Sequence, residues 1–344
     1  MIRVSSNNEW DTLEEVIVGR VEGARIPSED PGLRMADFWH LSDSEPIPSG
    51  PFPERVVEET KEDLEVLAEA LSSLGVIVHR PSLPQPERTY SSPHWSSDGL
   101  HSYCPRDTLL VVGDTIIETP MVQRSRQYET LPLRPILHEC LRGGARWLSA
   151  PRPALLDDSW RRRNGFHIAL NEHEPLFDAA NVVRLGQDLL YLVSDSGNYL
   201  GARWLQSVLG SKYRVTILDR IRNTIHIDTT IVPVREGLVF VPAEFVRPDN
   251  LPEVLRDWEV VYFNEPVAEH TEGVVLGSNW MALNLLMVRP DLALVDRRQQ
   301  PLIRALEKRG VNVLPLILRH SRSLGGGFHC VTLDLRRSPP GQRA

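Results

Sequence analysis

The spacing of apolar positions divides the chain into short, repeating blocks. In Val56–Leu74 the residues Leu64, Leu67, Leu71 and Leu74 recur at three- and four-residue steps, which predicts a helix with one apolar face. Gly75 ends that period, and Val76-Ile77-Val78 follows as a β-rich run. The same order returns in Arg203–Leu209, Gly210 and Tyr213–Leu218, in Leu251–Trp258 and Val260–Phe263, and in Pro301–Lys308, Gly310 and Val311–Leu316. Short apolar runs between these blocks read as strands: Leu109–Val112 with Thr115–Glu118, Leu189–Val193, Leu238–Val241, Leu292–Val295 and a final Val331–Leu335. Turn residues such as Gly113-Asp114 and Gly186-Gln187-Asp188 punctuate them.

The last three helical blocks start near residues 203, 250 and 300. A fixed period of that size marks a repeated supersecondary unit. Each unit reads strand, strand, helix, strand, whereas a doubly wound sheet alternates one strand with one helix. The pattern therefore predicts an α/β fold of mixed modules packed radially, with an open α/β sheet as the alternative. Residues 22–55 and 80–100 are rich in Pro, Ser and Gly and break the pattern. Long loops in compact domains tend to serve a site, so both are expected to be ordered walls of one. A single catalytic domain over residues 1–337 is expected, with a flexible tail at 338–344.

The composition, 41% hydrophobic and 24% charged over 344 residues, allows a large core. A net charge of −8 argues against a general nucleic-acid binder, and the triplet Arg161-Arg162-Arg163 reads as a solvated patch. No apolar stretch approaches the length of a membrane span, and Met1–Trp10 lacks the apolar region of a signal peptide. The three cysteines, Cys104, Cys140 and Cys330, are far apart and form no CxxC pair. A disulfide framework or structural zinc is therefore not expected, and a reducing cytoplasm fits.

Four local features carry chemistry. Leu324-Gly325-Gly326-Gly327-Phe328-His329-Cys330 sets a thiol behind three glycines, which fits either a clearing around a nucleophile or a flexible connector before the last strand. A nucleophilic thiol needs a base and an orienting group. Ile225-His226-Ile227-Asp228 alternates like a strand, with His226 and Asp228 on one face. Phe177-Asp178-Ala179-Ala180-Asn181 surrounds an acid with small residues, and a capping or turn Asp is the plainer reading. Tyr103-Cys104-Pro105-Arg106-Asp107 precedes a strand, and Arg106-Asp107 alone reads as a turn.

Together the four pieces resemble the amidinotransferases of the guanidino-group-modifying family. The resemblance runs from Asn8-Glu9-Trp10-Asp11 to Cys330-Val331-Thr332-Leu333-Asp334 and includes Ile116–Met121, Arg124-Ser125-Arg126 and His226-Ile227-Asp228. It is most similar to the inosamine-phosphate branch, through Ile47–Pro51, Asp98-Gly99-Leu100-His101, Tyr103–Asp107 and Leu192–Asn198. The resemblance implies the pentein fold, a five-fold pseudosymmetric α/β propeller.

It also implies roles. Cys330 would be the nucleophile, His226 the general acid/base and Asp178 its orienting acid. Asp107 and Asp228 would grip the guanidinium, and Ser278 would lie near the donor's carboxylate end. His101, Asn223 and Ile225 are expected to line the acceptor subsite. One departure stands out. Where relatives carry Asn-Pro-x-Arg, this chain has Pro242-Ala243-Glu244-Phe245, with Arg247 two residues later. Either Arg247 takes over the carboxylate or the substrate is bound another way.

The expected reaction moves an amidino group from a guanidino donor such as arginine, releasing ornithine, to a primary amine by way of an amidino-cysteine; the resemblance implies an aminocyclitol-type acceptor such as inosamine phosphate, with glycine, lysine or another primary amine as alternatives. It needs no metal or organic cofactor, and its partners are small molecules, with a homodimer as an open alternative. A guanidine-modifying hydrolase shares the first half of that chemistry. A guanidino-binding module without turnover leaves Cys330 without a role.

Overall fold

The computed structural model describes residues 1–38, 41, 44–83, 89–98, 102–163, 167–221, 226–267 and 273–339. Among them, five three-stranded sheets share one plan: a middle strand pairs antiparallel with one neighbour and parallel with the other. The first sheet joins the two ends of the chain. Thr332–Ser338 lies antiparallel to Thr12–Val18, which lies parallel to Ile77–His79. The second comprises Leu109–Val112, Thr115–Glu118 and Arg146–Ser149. The third comprises Val182–Leu185, Asp188–Leu192 and Arg214–Leu218. The fourth comprises Val232–Arg235, Leu238–Pro242 and Glu259–Phe263, and the fifth Leu286–Arg289, Leu292–Asp296 and Asn312–Leu316.

A parallel third strand requires a crossover, and helices supply it in four sheets. They are Glu54–Ser73, Arg134–Arg142, Tyr199–Leu209 and Gln300–Glu307. The expected stripe on the first is present, with Leu64, Leu67 and Leu71 fully buried. The helix expected over Leu251–Trp258 is not. Only a 3₁₀ turn forms there, Glu253–Leu255. Pro248 and Pro252 disfavour helical geometry in the residues before them and lack amide donors, which leaves too few residues for a helix before the strand at Glu259. The helix Arg134–Arg142 was not legible in the pattern, because it is nine residues long and buries only Ile136, Leu137 and Cys140. Ser338 is the last residue of the final strand, so the expected tail starts later, and residues 340–344 lie outside the described residues.

The core runs from sheet to sheet. One apolar cluster joins the first and second sheets through Ile17, Leu333, Val111 and Ile116. Another joins the second and third through Val112, Ile117, Leu189 and Tyr191. A large cluster spans the third, fourth and fifth, including Leu190, Phe240 and Val295. A further one joins the fifth back to the first through Leu294 and Val16. None of the described helices is long and apolar enough to cross a membrane.

Buried charge sits where these sheets meet. Arg184 donates to Glu9 Oε1 at 2.8 Å and Oε2 at 2.7 Å, to Asp334 Oδ2 at 2.8 Å and to Ser6 Oγ at 2.9 Å. Arg106 bonds Asp334 Oδ1 and the carbonyls of His329 and Thr332, the latter two at 2.9 Å. Arg337 bonds Asp334 Oδ2 at 3.0 Å. Asp334 is held well below the usual carboxylate range because these guanidinium charges outweigh the burial that opposes its ionisation. Removing one member strands the others in a low-dielectric interior. Arg184→Ala should therefore cost about 3–5 kcal/mol of stability. Chemical denaturation with unchanged m-value checks it, and a loss under about 1 kcal/mol would contradict it.

Candidate active site

The glycine run is a packing requirement and not a flexible connector. Gly325 ends the helical turn Ser321–Leu324 with φ at +77°, a left-handed conformation. A Cβ on Gly326 would lie 2.5 Å from Cys104 Sγ, and one on Gly327 would lie 2.8 Å from Asn284 Oδ1. The backbone thus passes close under two side chains and delivers Cys330, 3% exposed, to the floor of a cleft.

Asn284 fixes that thiol. Its Oδ1 accepts from the Cys330 and His329 amides, both at 3.0 Å. Its Nδ2 donates to Cys330 Sγ at 3.1 Å and to Asp228 Oδ2 at 3.0 Å. The thiol donates to the same Asp228 Oδ2 at 3.1 Å, and His329 Nδ1 donates to it at 3.0 Å.

His226 and Asp228 lie in a tight turn, where the sequence pattern predicts a strand. The amides of Thr230 and Ile231 both donate to the carbonyl of Ile227, at 2.8 and 2.9 Å. Ile227 and Ile231, one turn apart, are buried in the core, while His226 and Asp228 line the cleft. That turn produces the same apolar and polar alternation as a strand. His226 Nε2 donates to Asp178 Oδ2 at 3.1 Å, and Asp178 Oδ1 accepts the Val122 amide at 3.1 Å. Asp178 stands at the start of the 3₁₀ turn Ala179–Asn181, yet its side chain caps nothing there. Asp107 lies in the helical turn Pro105–Thr108. Its Oδ2 accepts from Arg126 Nη1 at 2.9 Å, its Oδ1 lies 3.9 Å from His226 Nδ1, and that Oδ1 is buried with no hydrogen-bond partner among the described residues.

The electrostatics follow from this crowding. Burial opposes charge on His226, but Asp107 and the hydrogen bond to Asp178 outweigh it and raise its pKa from 6.5 to about 9. Burial also opposes charge on Asp228, yet the hydrogen bond and charge of His329, helped by His226, bring it down to about 2. Burial pushes Asp107 up, only partly offset by His226 and Arg126. Burial likewise raises Glu129 to about 7 against the charge of Arg126. Cys330 is raised well above an ordinary thiol, first by its hydrogen bond with Cys104, then by burial and by the negative charges of Asp228 and Asp107. Both directions favour a neutral thiol beside a protonated imidazole.

The structure brings Cys330, His226, Asp178, Asp107, Asp228 and Ser278 to one cavity. Residues 22–55 wall it through Arg25, Ile26, Pro27, Leu33, Ala36 and Asp37, as expected. No described residue of 80–100 lines it, although Asp98 pairs with Arg25. Arg247 does not reach it. Its amide donates to Asn250 Oδ1 at 2.8 Å, its side chain is 62% exposed beside Asp249, and it borders a separate surface depression with Asp219, Arg220 and Glu244. Asn250 Nδ2 also donates to the Phe245 carbonyl at 3.0 Å and closes the turn that carries Arg247. His101, Asn223 and Ile225 lie outside the described residues. Sequence reasoning missed Asn284, whose signal is a lone amide within the apolar run Met281–Val288. It also gave no role to Arg126 or His329, although both fall in the motifs that carry the resemblance.

No family model matches the chain. The chain is 52% identical to inosamine-phosphate amidinotransferase 1 of Streptomyces glaucescens over 98% of both sequences. It is 36% identical to the L-arginine:L-lysine amidinotransferase of Pseudomonas savastanoi pv. phaseolicola, over 97% of this chain and 94% of that one. The solved structure of an inosamine-phosphate amidinotransferase from Streptomyces griseus superposes with a TM-score of 0.93 at 52% identity, over 97% of both chains. With identity at this level over the full length of its relatives, the chain belongs to the amidinotransferase family.

Proposed function

We propose that this enzyme transfers the amidino group of L-arginine to the primary amine of a phosphorylated aminocyclitol, through an amidino-Cys330 intermediate. The observation that carries the proposal is the buried Asp107 Oδ1, which has no hydrogen-bond partner among the described residues, across the same cavity from Asp228 and the Cys330 thiol. A planar guanidinium with N–H donors in a fixed fork satisfies both acids at once and offers its central carbon to the sulfur. The acceptor class rests on the inosamine-phosphate amidinotransferases at 52% identity. The repeated sheet plan and the core clusters that join each sheet to the next support a pseudo-five-fold, pentein arrangement of modules. We read the chain as one catalytic unit. Three free cysteines favour the cytoplasm.

The chemistry runs as follows. The guanidinium places positive charge against Asp107 and Asp228, which removes two of the causes that hold the thiol protonated. A C–S bond forms, and the C–N bond to the alkyl amine breaks. The thiol proton is released to solvent as the cation binds, and the departing nitrogen takes a proton from His226, so His226 is left neutral and the S-amidino group keeps the donor's positive charge. Ornithine leaves. The acceptor amine attacks the same carbon, its surplus proton passes to His226, and the C–S bond breaks. Each substrate uses the pocket in turn. Initial rates at varied donor and acceptor should therefore give parallel double-reciprocal lines. Cys330→Ala should abolish turnover with the fold intact, while Cys104→Ala and Cys140→Ala keep measurable activity. Intersecting lines or an active Cys330→Ala variant would contradict the covalent route. Steady release of urea or ammonia without acceptor would mark a hydrolase instead.

Two further outcomes follow. Asp107→Asn and Asp228→Asn keep shape but remove charge from the guanidinium grip. Each should cost about 2–4 kcal/mol of transition-state binding, roughly 30- to 900-fold in kcat/KM for arginine. A change below about threefold in both would refute the assignment. The pH profile tests His226. As the acid of the first half-reaction it must start protonated, so kcat/KM for arginine should fall above about pH 9. Asp178→Asn removes a carboxylate that holds that proton and should move the fall to lower pH. An unmoved alkaline limb would separate Asp178 from His226.

A further inference from the structure

Five acids line the cavity: Asp37, Asp107, Glu129, Asp178 and Asp228. Such a lining attracts a cationic guanidinium and repels an anionic substituent. Two of its cations are spent on those acids, since Arg126 bonds Asp107 and Glu129 and His226 bonds Asp178. Arg25 is different. It forms an ion pair with Asp98, through Nη2 at 2.6 Å, and Asp98 does not line the cavity. Its Nε is buried and has no hydrogen-bond partner among the described residues. A guanidinium donor left unpaired in that way is costly unless a ligand completes it.

Arg25 is also held in place. It sits in a two-stranded ribbon, Arg25–Ile26 against Gly50–Pro51. Asp98 clamps it from the other side, with its remaining oxygen accepting the Ser28 amide at 2.7 Å. Those two supports, Gly50-Pro51 and Asp98, fall in the very segments that carry the resemblance to the inosamine-phosphate branch, Ile47–Pro51 and Asp98–His101. The features that separate branches of one family are expected at the substrate that differs, which is the acceptor. Arg247, the other candidate for an anionic substrate group, faces a different depression.

We infer that Arg25, positioned by Asp98, binds the phosphate of the acceptor at the wall of the cavity. The inference rests on the amidino-transfer reading above and adds to it the residue that selects a phosphorylated amine. A guanidinium fork suits a phosphate, which accepts two parallel N–H bonds.

The test compares two acceptors, a phosphorylated aminocyclitol and the same aminocyclitol without phosphate, in the unsubstituted enzyme, R25Q and R25K. The ratio of their kcat/KM values should fall at least tenfold in R25Q and less in R25K, which keeps charge but loses the fork. Inorganic phosphate should compete with the phosphorylated acceptor in the unsubstituted enzyme, a readout that needs no variant to fold. The amidino adduct on Cys330, measured by mass spectrometry with donor alone, reports the underlying chemistry. Adduct formation with an unchanged acceptor ratio, or no competition by phosphate, overturns the role of Arg25 and leaves the transfer reading standing. Slower adduct formation in R25Q from arginine, but not from its decarboxylated analogue, assigns Arg25 to the donor carboxylate and also overturns it. Failure of the unsubstituted enzyme to form any adduct overturns both.

Discussion

Carboxylates crowded around one buried thiol set the terms for everything else in the cleft. Asp228 Oδ2 receives the Cys330 thiol, the Asn284 amide and the His329 ring together. Asp178 receives His226, and Asp107 keeps an oxygen that no described side chain satisfies. Negative charge in a water-poor site suppresses ionisation of the sulfur and promotes protonation of the imidazole. The same crowding that disfavours a thiolate at Cys330 favours a planar cation in the cleft. On the proposed reading, substrate binding and activation of the nucleophile are one electrostatic event.

Holding that many charges at fixed positions needs a stiff base. The network of Arg184, Arg106, Arg337, Glu9 and Asp334 supplies it beneath the site, and it draws members from both chain ends and from the second and third modules. It also touches the chemistry. Arg106 bonds the carbonyl of His329, and His329 spans Asp228 at 3.0 Å and Glu9 at 3.4 Å. Asp107 follows Arg106 directly in the chain, so one short helical turn serves the base with one residue and the cleft with the next. Cys330, His226 and Asp178 each arrive on a separate turn, and the core shared between sheets holds those turns together around the cleft.

Much of this was legible in the sequence, for reasons particular to each element. Helix Glu54–Ser73 announced itself because its core-facing leucines keep the helical period over several turns. The strands at Leu109–Val112 and Thr115–Glu118 were read to the residue because both are apolar and bounded by Gly113-Asp114. Cys330 stood out because tight packing against Cys104 and Asn284 can only be met by glycines, and that need is written in the chain. Other features leave no such trace. A turn with Ile227 and Ile231 both facing inward looks like a strand on paper. Arg184, Glu9 and Asp334 are charged residues and would be placed on the surface by composition alone, since only the fold shows that they meet. Arg247 seemed near enough in sequence to replace an expected arginine, but it is exposed beside Asp249 and its amide is bound to Asn250, at a separate surface depression.

The central claim is that guanidinium binding, and not the protein alone, releases the Cys330 thiolate. The most direct measurement is the pH dependence of Cys330 alkylation in the unsubstituted enzyme, read at Cys330 by peptide mass spectrometry, in the absence and presence of a non-reactive guanidinium ligand too small to block access. Charge neutralisation predicts a free-enzyme profile well above that of an ordinary thiol, in keeping with burial and the charges of Asp228 and Asp107, and a large displacement toward neutral pH when the cation is bound. A profile already at or below the ordinary thiol range in the empty protein, unmoved by the cation, would contradict it.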